Sequence, residues 1–292
     1  MPRSRPGRRV VDVAAPLIPY LRVPDLPLIP EGFFGSGVPP IPITIKPFGT
    51  LVATGVYVGA WLSVRQARRL GLDEQAVVSF IFSVVVSGFL FGHMLDVIFY
   101  YPGKVLEDPL SLLRLWDGLS SFGGFAGAAV GVLLWRLRRK VWVLPYADVV
   151  SSAFPVAWVF GRAGCALAHD HPGIRSSAWF AVRYPDGGRF DLGLYEMLCT
   201  IPLAAAFLWF RRKPRPWGFY VGVMCVAYAP SRFALDFLRA RDLAASDPRY
   251  FALTPGQWAC FALLGFGVVL CWRAFSRPNL ALPAAEGIAP GR

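Results

Sequence analysis

The feature that most narrows what this chain can become is a succession of apolar blocks, each about twenty residues long, the length of helix that crosses a bilayer core. Seven follow one another, at about 48–65, 78–100, 119–136, 146–164, 192–210, 217–237 and 254–273. Apolar residues make up 55% of the 292 and charged ones 16%, against roughly 25% charged in soluble domains. A water-soluble fold would have to hide all of that apolar surface. The sequence therefore predicts an all-α integral membrane protein of about seven transmembrane helices. Glycines within the blocks, such as Gly123, Gly124, Gly127 and Gly131 of the third, permit close helix–helix approach.

The flanks divide the chain. Residues 1–46 are proline-rich and open on Arg3, Arg5, Arg8 and Arg9. The apolar stretch Val10–Ile18 has the length of a signal-peptide core, but Asp12 and Pro16 interrupt it, so 1–46 reads as an extended or interfacial segment. Residues 47–275 form the membrane domain, and 276–292 a tail. Within the domain, 166–191 is polar and carries Pro172-Gly173 and Asp186-Gly187-Gly188 turn signals, the marks of a small ordered excursion outside the bilayer.

Eleven basic residues follow blocks one, three and five (Arg65, Arg68, Arg69; Arg136, Arg138, Arg139, Lys140; Arg211, Arg212, Lys213, Arg215), which assigns that side to the cytoplasm. The N-terminus and the excursion then lie outside and the tail inside. The Arg3–Arg9 run opposes this but falls beyond the ~15–20 residues over which charge sets orientation.

The net charge of +12 belongs to these clusters, which meet an anionic membrane face. No zinc spacing, RNP-like strand or basic recognition helix points to nucleic acid. Five cysteines stand singly, without a CxxC pair, and read as packing residues rather than a disulfide framework. No nucleotide loop, haem motif, metal cage, short repeat or pair of inverted halves is visible, so no cofactor is expected.

Ionisable groups inside such blocks are costly unless paired or wetted, and each is a functional candidate. His93 and Asp96 share a face of the second block, as a functional pair or a structural hydrogen bond. The run from Gly161 to Gly173 holds Arg162, His169, Asp170 and His171. Arg162 needs an anionic partner and suits phosphate by its fork geometry. The histidines are candidate bases, or less plausibly metal ligands. Tyr228, Arg232, Asp236 and Arg239 are spaced to share one face of the sixth block, an anionic head-group site or an ion-pair ladder. Glu196, in Leu194-Tyr195-Glu196, can pair with one of these arginines.

These blocks, in this order, resemble the bacterial prolipoprotein diacylglyceryl transferase family from about Pro47 to Phe275. The resemblance rests on Asp108-Pro109 followed by Trp116-Asp117-Gly118, on Ser121-Phe122-Gly123-Gly124, Gly161-Arg162-Ala163-Gly164 and Leu194-Tyr195-Glu196, and on Tyr228, Arg232-Phe233, Asp236-Phe237 and Arg239. It implies a multi-pass enzyme of the bacterial inner membrane. Such an enzyme takes the diacylglyceryl group from phosphatidylglycerol, attaches it to the cysteine thiol at the signal-peptide cleavage site of a prolipoprotein, and releases glycerol phosphate. It places Arg162 and Arg232 at the family's essential arginines, and implies phosphatidylglycerol, prolipoprotein signal peptides and membrane lipids as partners, with no cofactor.

The chain departs from the family pattern at several positions. Gly123 stands where the family keeps a histidine, a candidate base for the substrate thiol. Cys165, Ala168 and Asp170 stand where it has two asparagines and a glutamate. Val52 and Thr54 lie in the region of a missing histidine-tyrosine element, and His93 takes the place of a second-block arginine. The phosphate-binding half thus matches while the thiol-activating half is rebuilt, with His169 or His171 as the replacement base. Transfer to another thiol or hydroxyl, and a non-catalytic lipid-binding or transport role on the same scaffold, are the alternatives.

Overall fold

The computed structural model describes residues 16–27, 44–100, 102–114, 120–243 and 249–276. The Arg3–Arg9 run, the Trp116-Asp117-Gly118 motif, the tail beyond residue 276 and the side chain of Ser121 lie outside what is described.

Among the described residues, seven long helices occupy the seven apolar stretches: α1 (Pro47–Leu70), α2 (Glu74–Tyr100), α4 (Ser121–Arg139), α5 (Leu144–Ala168), α6 (Leu192–Phe210), α7 (Phe219–Asp236) and α8 (Pro255–Ser276). A short α3 (Pro102–Glu107) and a 3-10 turn over Pro109–Leu113 join α2 to α4. Five of these described helices, α1, α2, α5, α6 and α8, are long and apolar enough to cross a membrane. The other two are α4, with Arg136, Arg138 and Arg139 in its last turn, and α7, an 18-residue helix carrying Arg232 and Asp236.

Local chemistry sets the ends. Pro47 starts α1, where its missing N–H costs nothing, and Gly71 ends it in the left-handed region at φ 70°. Asp191 caps α6 by accepting from Leu194 N (3.0 Å). At α8, Gln257 N donates to Thr254 Oγ1 (3.1 Å) while Thr254 N donates to Gln257 Oε1 (3.0 Å), a reciprocal capping box. α5 runs beyond its expected end near residue 164 because Ala163, Ala166, Leu167 and Ala168 are strong helix formers. His169 then ends it at φ 50°.

The glycines of α4 lie against α2. A Cβ on Gly123 would stand 2.6 Å from Phe91 O, and one on Gly131 2.6 Å from Ser83 O. Ser83 Oγ donates to Gly131 O (2.9 Å) and Ser120 N to Gly92 O (3.0 Å), so the two backbones touch along the seam.

Between α5 and α6 the chain forms an antiparallel sheet, β3 (Pro172–Arg175), β4 (Val182–Tyr184) and β5 (Gly187–Asp191), in the order β3-β5-β4. Residues 16–27 run across it. Ile18 bridges Val182 in parallel, Leu17 N donates to Trp179 O (2.9 Å) and Arg183 N to Ile18 O (3.0 Å). β1 (Leu26–Pro27) pairs with β2 (Thr44–Ile45). On its other edge, β3 meets the segment after α7, where Gly173 bridges Arg239 and Ile174 N donates to Leu238 O (2.8 Å).

Candidate active site

Two buried carboxylates organise the arginines. Glu196 lies in the second turn of α6, set by the Asp191 cap. Its Oε1 accepts from Tyr228 OH (2.6 Å) on α7 and from Trp158 Nε1 (3.1 Å) on α5. The same oxygen lies 2.9 Å from Arg162 Nε, an ion contact outside hydrogen-bond alignment. Arg162, one turn after Trp158, places its guanidinium 4.6 Å from the centre of that indole ring. Its Nη1 reaches Cys165 Sγ at 3.8 Å. The extension of α5 thus leaves Arg162 inside the helix rather than at its mouth, buried among its partners.

Asp236, the last residue of α7, is the second node. Its Oδ1 accepts from Arg232 Nη1 (2.8 Å) and lies 3.1 Å from Arg239 Nε. Its Oδ2 accepts from the hydroxyl of Thr254, the cap of α8. Gln257 Nε2 donates to Phe233 O (3.2 Å), so α8 braces α7 at this level. The expected single helical face for Tyr228, Arg232, Asp236 and Arg239 holds only in part. α7 stops at Asp236, and Arg239 returns to the site from the strand-like segment beside Gly173.

Arg162, Arg232 and Arg239 act electrostatically on one another and on Glu196. The three guanidinium groups gather about Glu196 and Asp236, a concentration of positive charge. That charge can hold a singly charged phosphodiester.

The two loop histidines have different surroundings. His169 Nδ1 lies 2.7 Å from Asp191 Oδ2 and its Nε2 3.1 Å from Leu21 O, and its ring stacks on Tyr20 at 3.8 Å. Tyr184 OH donates to Asp191 Oδ2 (2.9 Å). Burial first, and the Asp191 charge after it, push the Tyr184 phenol well above its ordinary range. Both nitrogens of His169 face acceptors, and the residue pins the 16–27 segment to the sheet. His171 Nδ1 lies 2.5 Å from Asp170 Oδ1, an arrangement that directs Nε2 elsewhere. Donor atoms of Cys165, Asp170 and His171 lie within 4.8 Å of one another, a set that can approach a metal ion and that links His171 to Arg162 through Cys165.

His93 is buried in α2, with Nε2 3.0 Å from Ser111 O of the 3-10 turn. Gly123 and Gly124 serve the α2–α4 seam, and no side chain fits on Gly123 without moving the Phe91–Gly92 backbone.

Trp158, Thr254 and Gln257 were not singled out from sequence. Their signals are a Trp one turn before Arg162 and the Thr-Pro-Gly-Gln cap pattern.

Residues 38–273 match the family model described as prolipoprotein diacylglyceryl transferase. Three relatives are each named phosphatidylglycerol–prolipoprotein diacylglyceryl transferase. The protein from Nitratidesulfovibrio vulgaris is 32% identical over 81% of this chain and 94% of its own length. That from Mannheimia succiniciproducens is 32% identical over 81% and 91%, and that from Chromohalobacter salexigens 29% identical over 80% and 91%.

Proposed function

This chain belongs to the prolipoprotein diacylglyceryl transferase family, and from that premise we propose that it moves the diacylglyceryl group of phosphatidylglycerol onto the cysteine thiol of a prolipoprotein. The observation that carries the reading is the gathering of Arg162, Arg232 and Arg239 about the buried carboxylates Glu196 and Asp236.

In this reading the phosphodiester sits between Arg162 and Arg232, with Arg239 behind them. Glu196, Tyr228 and Trp158 hold Arg162; Asp236 and Thr254 hold Arg232 and Arg239. His171, oriented by Asp170, takes the proton from the substrate thiol. The thiolate attacks the diacylglyceryl carbon that bears the phosphate ester. A C–S bond forms, the C–O bond breaks, and its electron pair leaves on glycerol phosphate, whose growing charge the arginines stabilise. His169 positions the 16–27 segment on the sheet, and His93 joins α2 to the turn before α4.

All seven long helices cross the membrane in this reading. The β3–β5–β4 sheet and the 16–27 segment lie outside the bacterial inner membrane, and the C-terminal tail lies in the cytoplasm. Signal peptides of prolipoproteins enter from the bilayer.

The test is expression in cells depleted of their own transferase. Lipidated prolipoprotein should reappear, and its absence with the protein present in the membrane would refute the reading. A binding role without catalysis draws support from the closed position at Gly123. Release of water-soluble glycerol phosphate separates the two, since a binder makes none.

A further inference from the structure

At the other end of α6 a second group of cations has no counter-ion among the described residues. Glu196 and Arg211 stand fifteen residues apart along and just beyond that helix, so about 22 Å separates them at 1.5 Å per residue. Arg211 caps α6 and is only 7% exposed. Its Nη2 donates to Leu62 O of α1 (2.5 Å), whereas Nη1 is buried with no hydrogen-bond partner. Tyr220, 4% exposed in the first turn of α7, buries a hydroxyl in the same condition. Arg215 buries an unpartnered Nε while its guanidinium rests over Phe210 and Phe219, 5.5 and 5.2 Å from the ring centres.

The surroundings add positive charge and no available acid. Burial first, with Arg69 and Arg65 adding to it, pushes the Arg211 guanidinium down to about 10. Asp148 lies near Tyr220, but it accepts from Val221 N (2.9 Å) and serves the amide end of α7. Among the described residues no carboxylate pairs with Arg65, Arg69, Arg211 or Arg215. Exposed arginines at a helix end need no partner, because they orient the span. Buried donors without an acceptor are different, since an unmade hydrogen bond there is costly.

We infer that Arg211, Arg215 and Tyr220 form a second anion site that takes a phosphate group at the end of the bundle remote from Arg162. The guanidinium fork and phenol suit phosphate oxygens. Basic pockets between membrane helices hold anionic head groups in this manner. The phosphate belongs either to an anionic phospholipid in the facing leaflet or to a free phosphate ion.

The experiment uses the full-length protein in phosphatidylcholine nanodiscs. Native mass spectrometry counts phosphatidylglycerol retained after its addition, and a second arm titrates inorganic phosphate by calorimetry. The variants are Arg211→Gln, Arg215→Gln and Tyr220→Phe. Tyr220→Phe removes only a hydroxyl and guards against a variant that fails to fold. A lipid site loses one bound phosphatidylglycerol in the variants, with affinity about tenfold weaker. A soluble-ion site shows equal lipid counts and the same loss in phosphate affinity. Equal lipid counts and equal phosphate binding in wild type, Arg211→Gln and Tyr220→Phe would leave water in the cluster and overturn the inference.

Discussion

Glu196 Oε1 lies 2.9 Å from Arg162 Nε and receives the Tyr228 hydroxyl at 2.6 Å, so one oxygen fastens a helix-five cation to a helix-seven phenol. Glu196→Gln keeps the shape and removes the charge. Arg162 then loses its buried counter-ion, and the transfer rate should fall by roughly 10- to 100-fold, with a lower melting temperature. Release of labelled glycerol phosphate reads the first effect. A rate within twofold of wild type would refute the role.

Arginine and lysine should not exchange at this site. Arg162→Lys and Arg232→Lys keep the charge but lose the planar fork, and each should lower the rate by at least about 100-fold while the protein accumulates normally. Preserved activity in either lysine variant would remove that residue from the phosphodiester site.

The histidines should separate. His171→Ala is expected to abolish transfer at unchanged melting temperature, because the proposed proton acceptor is gone. His169→Ala releases Leu21 and Asp191 and should expose residues 16–27 to protease, with part of the activity retained. The reverse pattern would exchange their roles.

Returning the family histidine to Gly123 should not help. Any Cβ there meets Phe91 O at 2.6 Å, so Gly123→Ala and Gly123→His should each cost about 1–3 kcal/mol of stability from overpacking. A Gly123→His variant that gained both activity and stability would overturn this account of the α2–α4 seam.

The sheet is tied to the chain beyond α7 by Arg189, which donates to Asp242 (2.7 and 3.1 Å) and Asp186 (2.8 Å). Hydrogen bonding from Arg189 holds the Asp242 carboxyl well below the usual carboxylate range. A lowered folded-state value means that the contribution is full above the ordinary carboxyl range, near pH 4. It declines below that and is gone once the pH falls through the folded value. Asp242→Asn should therefore loosen residues 172–191 at neutral pH, with the difference from wild type shrinking in acid. Hydrogen exchange at pH 7 and pH 3 checks it, and a difference that grew in acid would contradict the sign.

The helices were legible because each apolar stretch is long enough to read as one element, although only five of the described helices have the length and apolarity that crossing a bilayer demands. Helix ends were less so. The alanines after Arg162 carried α5 further than the polar residues suggested, and α7 stopped at Asp236 before reaching Arg239. The Asp186-Gly187-Gly188 turn was readable, whereas the Ile18–Val182 bridge was not, because it joins segments 164 residues apart. At the site, the sequence indicated that Glu196 could meet an arginine but not which one. Trp158 was hidden as one aromatic among many in apolar helices. The two loop histidines look alike in sequence, and only Leu21 and Asp191 around one and Asp170 beside the other distinguish them.

The clustering of the three arginines has a kinetic consequence for the proposed reaction. The guanidinium groups of Arg162, Arg232 and Arg239 meet one negative charge on a phosphodiester. Glycerol phosphate, a monoester, carries close to two near neutral pH. The arginines therefore attract the departing product more strongly than the lipid that delivered it. In the proposed cycle, escape of that product is then expected to be slow, and added glycerol phosphate to compete with phosphatidylglycerol for the same arginines.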